Sequence, residues 1–217
     1  MNWKQQVIDA GVRMLRSGAT IGTWGNISLR DPDSGTIYIT PSGMAYDRLT
    51  EADIVALAPD GTVREGRRRP STEMALHLAV YRARPEICAV VHTHPIYSTA
   101  FAAMGEEIPL LLDEAAQVLG APVQTAKYAL PGSEELAENC VAALGERGMA
   151  CLLRSHGAVC LGADLDKAFT VSTVLEATAR VYLYIRAMGG SYCPISEEDI
   201  ARMQHFVRHS YGQMSEP

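Results

Sequence analysis

The 217-residue sequence predicts one α/β domain in which a mixed β-sheet lies between helical layers. Three observations carry this. Short apolar runs bounded by glycine, proline and aspartate turns read as strands, and longer stretches show the helical period. Two tight hairpin signals early in the chain call for antiparallel pairing. No repeat, low-complexity tract or linker divides the sequence, which is long enough to bury a sizeable core as a single unit over residues 1–217.

The elements follow in order. Trp3, Val7, Ile8, Met14 and Leu15 recur at helical spacing, and Ser17-Gly18 supplies a C-terminal stop. Strands over 26–30 and 36–40 flank the turn Asp31-Pro32-Asp33-Ser34-Gly35, giving a first hairpin. Ile54 to Ala58 and Val63 flank Pro59-Asp60-Gly61, giving a second. Ser71 or Thr72 can cap a helix that runs to about Arg84, where Pro85 ends it. Ala89 to Val91 reads as a strand ending at His92, and Pro95 suits the first turn of a helix ending near Gly105. A short helix over 113–119, an edge-like strand over 123–128 and an amphipathic helix over 133–145 come next. Strands over 150–154 and 159–161 precede the longest helix, from Asp164 to about Met188. Ser196-x-x-Asp199 resembles a capping box and opens a last helix to about His209.

Composition excludes several classes. Apolar residues at 47% and charged residues at 20% are ordinary for a globular protein, and the net charge of −6 argues against nucleic-acid binding. The one basic cluster, Arg64 with Arg67, Arg68 and Arg69, reads as a solvated loop. Five scattered cysteines without a C-x-x-C pair suggest free thiols in a reducing compartment. No signal-like segment or membrane-length apolar run is present, so a cytoplasmic location is expected.

The chemistry gathers around His92-Thr93-His94. In extended chain, residues two apart project to the same side, so both imidazoles can face one point. His156, after an apolar strand and before Gly157, is the third candidate. Three imidazoles leave an open coordination position, the arrangement of catalytic zinc; the alternative is histidines that merely fall near strand ends. Glu73 and His77 share a helical face, either as a charged first-turn residue with a neighbour or as a carboxylate base beside a metal. Gly25-Asn26, Ser42-Gly43 and Ser71-Thr72 each combine a hydroxyl or amide with a glycine or helix N-terminus. Each is an ordinary turn by itself, and the three together could bind phosphate if they converge. The chain has no G-x-S-x-G, P-loop or dinucleotide fingerprint.

Together, Gly25-Asn26-Ile27-Ser28, Ile39-Thr40-Pro41-Ser42-Gly43, Ser71-Thr72-Glu73 with His77, Val90-Val91-His92-Thr93-His94 and His156-Gly157 resemble the class II aldolase/adducin family. Their order and separations agree from residue 5 to about 212. The resemblance implies a three-layer α/β/α domain with a mostly antiparallel sheet, and a homotetramer with active sites between subunits. It implies that His92, His94 and His156 hold one divalent metal per subunit, zinc or else manganese, cobalt or iron. Glu73 would be the acid/base and touch the metal when no substrate is bound. Gly25, Asn26, Ser42, Gly43, Ser71 and Thr72 would hold a substrate phosphate. From about residue 194 a C-terminal helix and mobile tail would carry Tyr211 to a neighbour's site.

The implied reaction is reversible cleavage of a ketose 1-phosphate, L-fuculose 1-phosphate or a related deoxy-ketose 1-phosphate, to dihydroxyacetone phosphate and a small aldehyde. Asp113 stands where the family's fuculose enzymes carry a tyrosine that acts as a second acid/base, so the aldehyde pocket is expected to differ. Alternatives on the same scaffold are a sugar-acid phosphate decarboxylase or dehydratase and a pentulose-5-phosphate 4-epimerase, the latter carrying aspartate at the position of Glu73. Non-enzymatic adducin-like modules lack the histidine triad.

Overall fold

A computed structural model describes residues 2–210. Helix α1 (Trp3–Arg16) is capped by the Asn2 side chain and stops at Ser17. Strands β1 (Asn26–Arg30) and β2 (Ile37–Ile39) form the first hairpin, and β3 (Val55–Leu57) and β4 (Val63–Glu65) the second. Then come α2 (Met74–Ala83), β5 (Ala89–Thr93), α3 (Ile96–Met104), α4 (Asp113–Val118), β6 (Thr125–Ala126) and α5 (Glu134–Leu144). The described chain closes with β7 (Ala150–Leu153), β8 (Gly157–Gly162), α6 (Leu165–Ala187) and α7 (Glu197–His209).

The eight strands form one sheet in the order β4-β3-β2-β1-β5-β8-β7-β6, antiparallel except where β6 runs parallel to β7. Alternation along each strand sorts the core into two faces. One face presents Ile37, Ile39, Val55, Leu57, Val90, Val159 and Leu161 to α2 and α5. The opposite face presents Ile27, Leu29, Ala89 and Val91 to α1, and Ala150, Leu152, Ala158 and Cys160 to α3, α4 and α6. Polar Asn26, Ser28 and His92 interrupt the first face, under the start of α2. A polar patch inside an apolar layer is costly unless its groups bond to one another, so it marks the place to look for chemistry.

The predicted elements are all present, with three shifts. Helix α2 begins at Met74, and Glu73 is its N-cap rather than a first-turn residue. The Ser71 hydroxyl instead accepts the Glu73 N–H at 3.2 Å, so residues 71–73 form a turn leading into the helix. The strand expected over 123–128 shrinks to two paired residues at the sheet edge, because Val123 pairs with Ile108 instead. Pro95 caps α3 from outside its first turn.

The cysteines are free thiols, with Cys140 and Cys151 facing each other at 3.5 Å across α5 and β7. Arg68 of the basic cluster is bound to Asp53 at 2.8 Å. Among the described residues, no helix is long and apolar enough to cross a membrane. Tyr211 lies outside the described residues.

Candidate metal centre and its surroundings

His92 and His94 leave the end of β5, and His156 sits in the three-residue turn joining β7 to β8. Pairing of β5 with β8, which sets His92 opposite Val159, brings that turn to the histidines. Ser155 takes a left-handed backbone, φ +56°, to make the turn, a conformation uncommon for a residue with a Cβ. Gly157 is required by space: a Cβ there would lie 2.3 Å from the Thr93 carbonyl and 2.9 Å from the His94 ring. Gly25 plays the same part at the other strand, where a Cβ would stand 2.6 Å from the His92 carbonyl and φ is +75°.

The three imidazoles converge. Nε2 of His92 lies 3.0 Å from Nε2 of His94 and 3.3 Å from Nε2 of His156. Nδ1–H of His92 donates to the Ala158 carbonyl at 2.9 Å, which fixes the tautomer and leaves Nε2 bare. Facing lone pairs repel unless a cation lies between them. A tetrahedral centre with metal–nitrogen bonds of about 2.0–2.1 Å has nitrogen–nitrogen edges of roughly 3.3–3.4 Å, close to the spacings here. Burial, aided by the neighbouring imidazoles, pushes the His94 imidazole down to about 3, and burial pushes His156 down as well. Neutral imidazoles are what a metal needs.

Glu73 completes the cluster. Its Oε2 lies 3.2 Å from Nε2 of His92 and its Oε1 3.6 Å from Nε2 of His156. Burial opposes its ionisation, but the contacts with His92 and His156 and an N–H from Asn26 hold the carboxyl well below the usual carboxylate range. Oε1 is buried without a hydrogen-bond partner. An orphaned carboxylate oxygen beside converging imidazole nitrogens fits a divalent cation. His92, His94 and His156 thus form a triad able to hold a metal ion.

The phosphate-binding candidates also adjoin. Thr40 ties the end of β2 to β1 through Ile27, and Ser71 N–H donates to the Thr40 carbonyl at 3.0 Å. Ser42 N–H donates to the Arg69 carbonyl at 3.0 Å. Asn26 reaches Glu73 at 2.8 Å. Gly25-Asn26, Ser42-Gly43 and Ser71-Thr72 are thereby drawn together beside Glu73, with Ser42, Gly43 and Thr72 exposed. Asp113 is not part of the group. It is the exposed first residue of α4, and its carboxylate makes no hydrogen bond or ion pair among the described residues.

The sequence reading missed Ser28 and Tyr81, which lie behind Asn26 and His77. Their signal was periodicity: Asn26 and Ser28 are two apart on one strand face, and Glu73, His77 and Tyr81 are four apart along α2 and its N-cap.

His77 gives a pH prediction. Its imidazole is fully buried, and burial pushes it from 6.5 down to about 3. A depressed pKa means that the unfolded chain takes up a proton that the folded one refuses. The stability from keeping His77 neutral is therefore present above about 6.5 and falls as pH drops towards 3, by about 1.4 kcal/mol per unit. Between pH 7 and 5, His77→Gln should lose about 2 kcal/mol less stability than the wild type, measured by urea unfolding. Parallel losses in the two proteins would show that His77 does not titrate this way.

Residues 5–183 match the family described as Class II Aldolase and Adducin N-terminal domain. The chain is 37% identical to the L-fuculose phosphate aldolase of Escherichia coli O6:H1, over 91% of this chain and 90% of that one. It is 36% identical to the 5-deoxy-D-ribulose 1-phosphate aldolase of Bacillus thuringiensis serovar kurstaki, over 86% of each. It is 34% identical to the L-ribulose-5-phosphate 4-epimerase UlaF of Salmonella paratyphi B, over 97% of this chain and 98% of that one. A solved L-fuculose 1-phosphate aldolase superposes with a TM-score of 0.91 at 33% identity, covering 95% of this chain and 96% of that one.

Proposed function

Because this chain belongs to the class II aldolase and adducin family, whose members here include both aldolases and an epimerase, we propose that it is the aldolase: an enzyme that reversibly cleaves a ketose 1-phosphate to dihydroxyacetone phosphate and a small aldehyde. The observation that carries this is the buried Glu73 carboxylate, set 3.2 Å from the metal-facing nitrogen of His92. The reading takes L-fuculose 1-phosphate or a related deoxy-ketose 1-phosphate as substrate, zinc as the metal, and a cytoplasmic homotetramer as the working form.

His92, His94 and His156 would hold the cation, which when bound supplies Lewis-acid polarisation of the substrate carbonyl. The rest falls to side chains and backbone. Gly25, Asn26, Ser42, Gly43, Ser71 and Thr72 anchor the phosphate through N–H and hydroxyl donors. In the condensing direction the ionised Glu73 removes a proton from C3 of dihydroxyacetone phosphate, leaving an enediolate. C3 attacks the aldehyde carbon, the C3–C4 bond forms, and the carbonyl electron pair moves to the C4 oxygen. A second acid delivers a proton there; in cleavage it takes that proton back. We assign this to Asp113, with Tyr211 as a further catalytic candidate.

The test is incubation with dihydroxyacetone phosphate and a panel of small aldehydes. Ketose 1-phosphates should form with the wild type, and no product with any aldehyde would sink the reading. The epimerase relative motivates a parallel incubation with L-ribulose 5-phosphate, where inversion at C4 without aldol product would favour the second reading. Asp113→Asn should lower cleavage about 10²-fold with metal content unchanged. Wild-type turnover in that variant would remove Asp113 from the mechanism.

A further inference from the structure

Behind Glu73 a single file of buried polar groups runs under the sheet. Asn26 Nδ2–H donates to Glu73 Oε2 at 2.8 Å, so Oδ1 of the same amide faces away, 2.5 Å from His77 Nε2. A carbonyl oxygen can only accept, so the His77 proton sits on Nε2 and its Nδ1 is bare. Ser28 Oγ–H donates to that Nδ1 at 2.6 Å, and Tyr81 O–H lies 2.8 Å from Ser28 Oγ to fill its acceptor side. One donor direction satisfies every contact from Tyr81 to Glu73. All four supporting side chains are buried, and His77 and Ser28 are wholly inaccessible.

We infer that His77 is a positioning residue: it locks the Asn26 side-chain amide with its N–H groups towards the site, and Asn26 in turn holds Oε2 of Glu73 so that Oε1 is the oxygen left free to act. The inference rests on the reading of Glu73 as the acid/base. It follows from geometry on both sides. Without the Nε2 donor, the Asn26 amide loses what distinguishes its two ends and can turn its oxygen towards the carboxylate. Burial keeps the imidazole neutral at working pH, so the donor pattern stays fixed as the reaction proceeds.

The experiment compares full-length His77→Leu, His77→Gln and Glu73→Gln with the wild type. The readout is exchange of solvent deuterium into C3 of dihydroxyacetone phosphate without aldehyde, which isolates the Glu73 step. His77→Leu should slow exchange about 10–100-fold with metal per subunit unchanged. His77→Gln, which restores an N–H near the position of Nε2, should stay within about threefold of the wild type. Exchange at the wild-type rate in His77→Leu, or an equal loss in His77→Gln, would overturn the inference. If Glu73→Gln exchanges normally, the premise has failed and the inference with it; if Glu73→Gln is dead while His77→Leu is normal, only the inference has failed. Should His77→Leu not fold, nitrogen NMR of the metal-free wild type decides: an Nε2–H tautomer at His77 supports the lock, and an Nδ1–H tautomer refutes it.

Discussion

Replacing Glu73 with glutamine should lower turnover by about 10²–10⁴-fold, the usual worth of a positioned acid/base. The substitution keeps the shape of the side chain and an oxygen able to accept from Asn26. It removes the negative charge and the capacity to take a proton. Because Glu73 caps α2 without a side-chain cap bond, the helix itself has little to lose. A carboxylate held below the usual range through its His92 and Asn26 contacts is ionised at neutral pH and has a lone pair to take a proton, which an amide lacks. The expected signature is a large fall in kcat, with metal per subunit near that of the wild type. Turnover within tenfold of the wild type would mean that another group moves the C3 proton.

Replacing His92 with alanine should have the largest effect on metal binding. Its Nε2 is the common neighbour of His94, His156 and Glu73, at 3.0, 3.3 and 3.2 Å, and the ring is wholly buried. Losing it removes one of three ligands and also the Nδ1–H bond to Ala158 that orients it. Metal by elemental analysis should fall from about one per subunit to a small fraction, and activity should drop by about 10³-fold or more as Lewis-acid stabilisation of several kcal/mol is lost. Thermal unfolding supplies an independent check. In the wild type, metal at 100 times its Kd should add about 2.7 kcal/mol over the metal-free protein, an increment that His92→Ala should lack. Full occupancy and full turnover in that variant would refute the triad.

Local chemistry was legible in the sequence, and long-range pairing was not. The turns after β1 and β3 announced their hairpins because proline, aspartate and glycine at those positions favour one backbone path. His92 and His94 were readable as a pair because extended backbone puts alternate residues on one side. That His156 meets them depends on β8 lying beside β5, and nothing local to either strand encodes that neighbourhood. The start of α2 was misplaced by a few residues because Ser71 caps a turn ahead of the helix, where sequence suggested the helix itself. Ser28 and Tyr81 escaped notice because each is unexceptional by type; their meaning arises when β1 and α2 are stacked. Asp113, read from resemblance alone, lies at an exposed helix end with no bond to the triad among the described residues, and nothing local to the sequence distinguishes it from an ordinary first-turn carboxylate.

The separation of the ligands also bears on how the protein is made. His92 and His156 stand 64 positions apart in the chain, an excursion that includes α3, α4, β6, α5 and β7. Closing a loop of that length costs about 4 kcal/mol in chain entropy before any contact compensates it. The unfolded polypeptide therefore presents an adjacent two-imidazole fragment and a distant third, a poor chelator. Metal cannot nucleate this fold as it does in small zinc modules; it joins after the sheet has closed. Its expected kinetic mark is a slower escape from the native state, with the rate of refolding nearly indifferent to the metal supply.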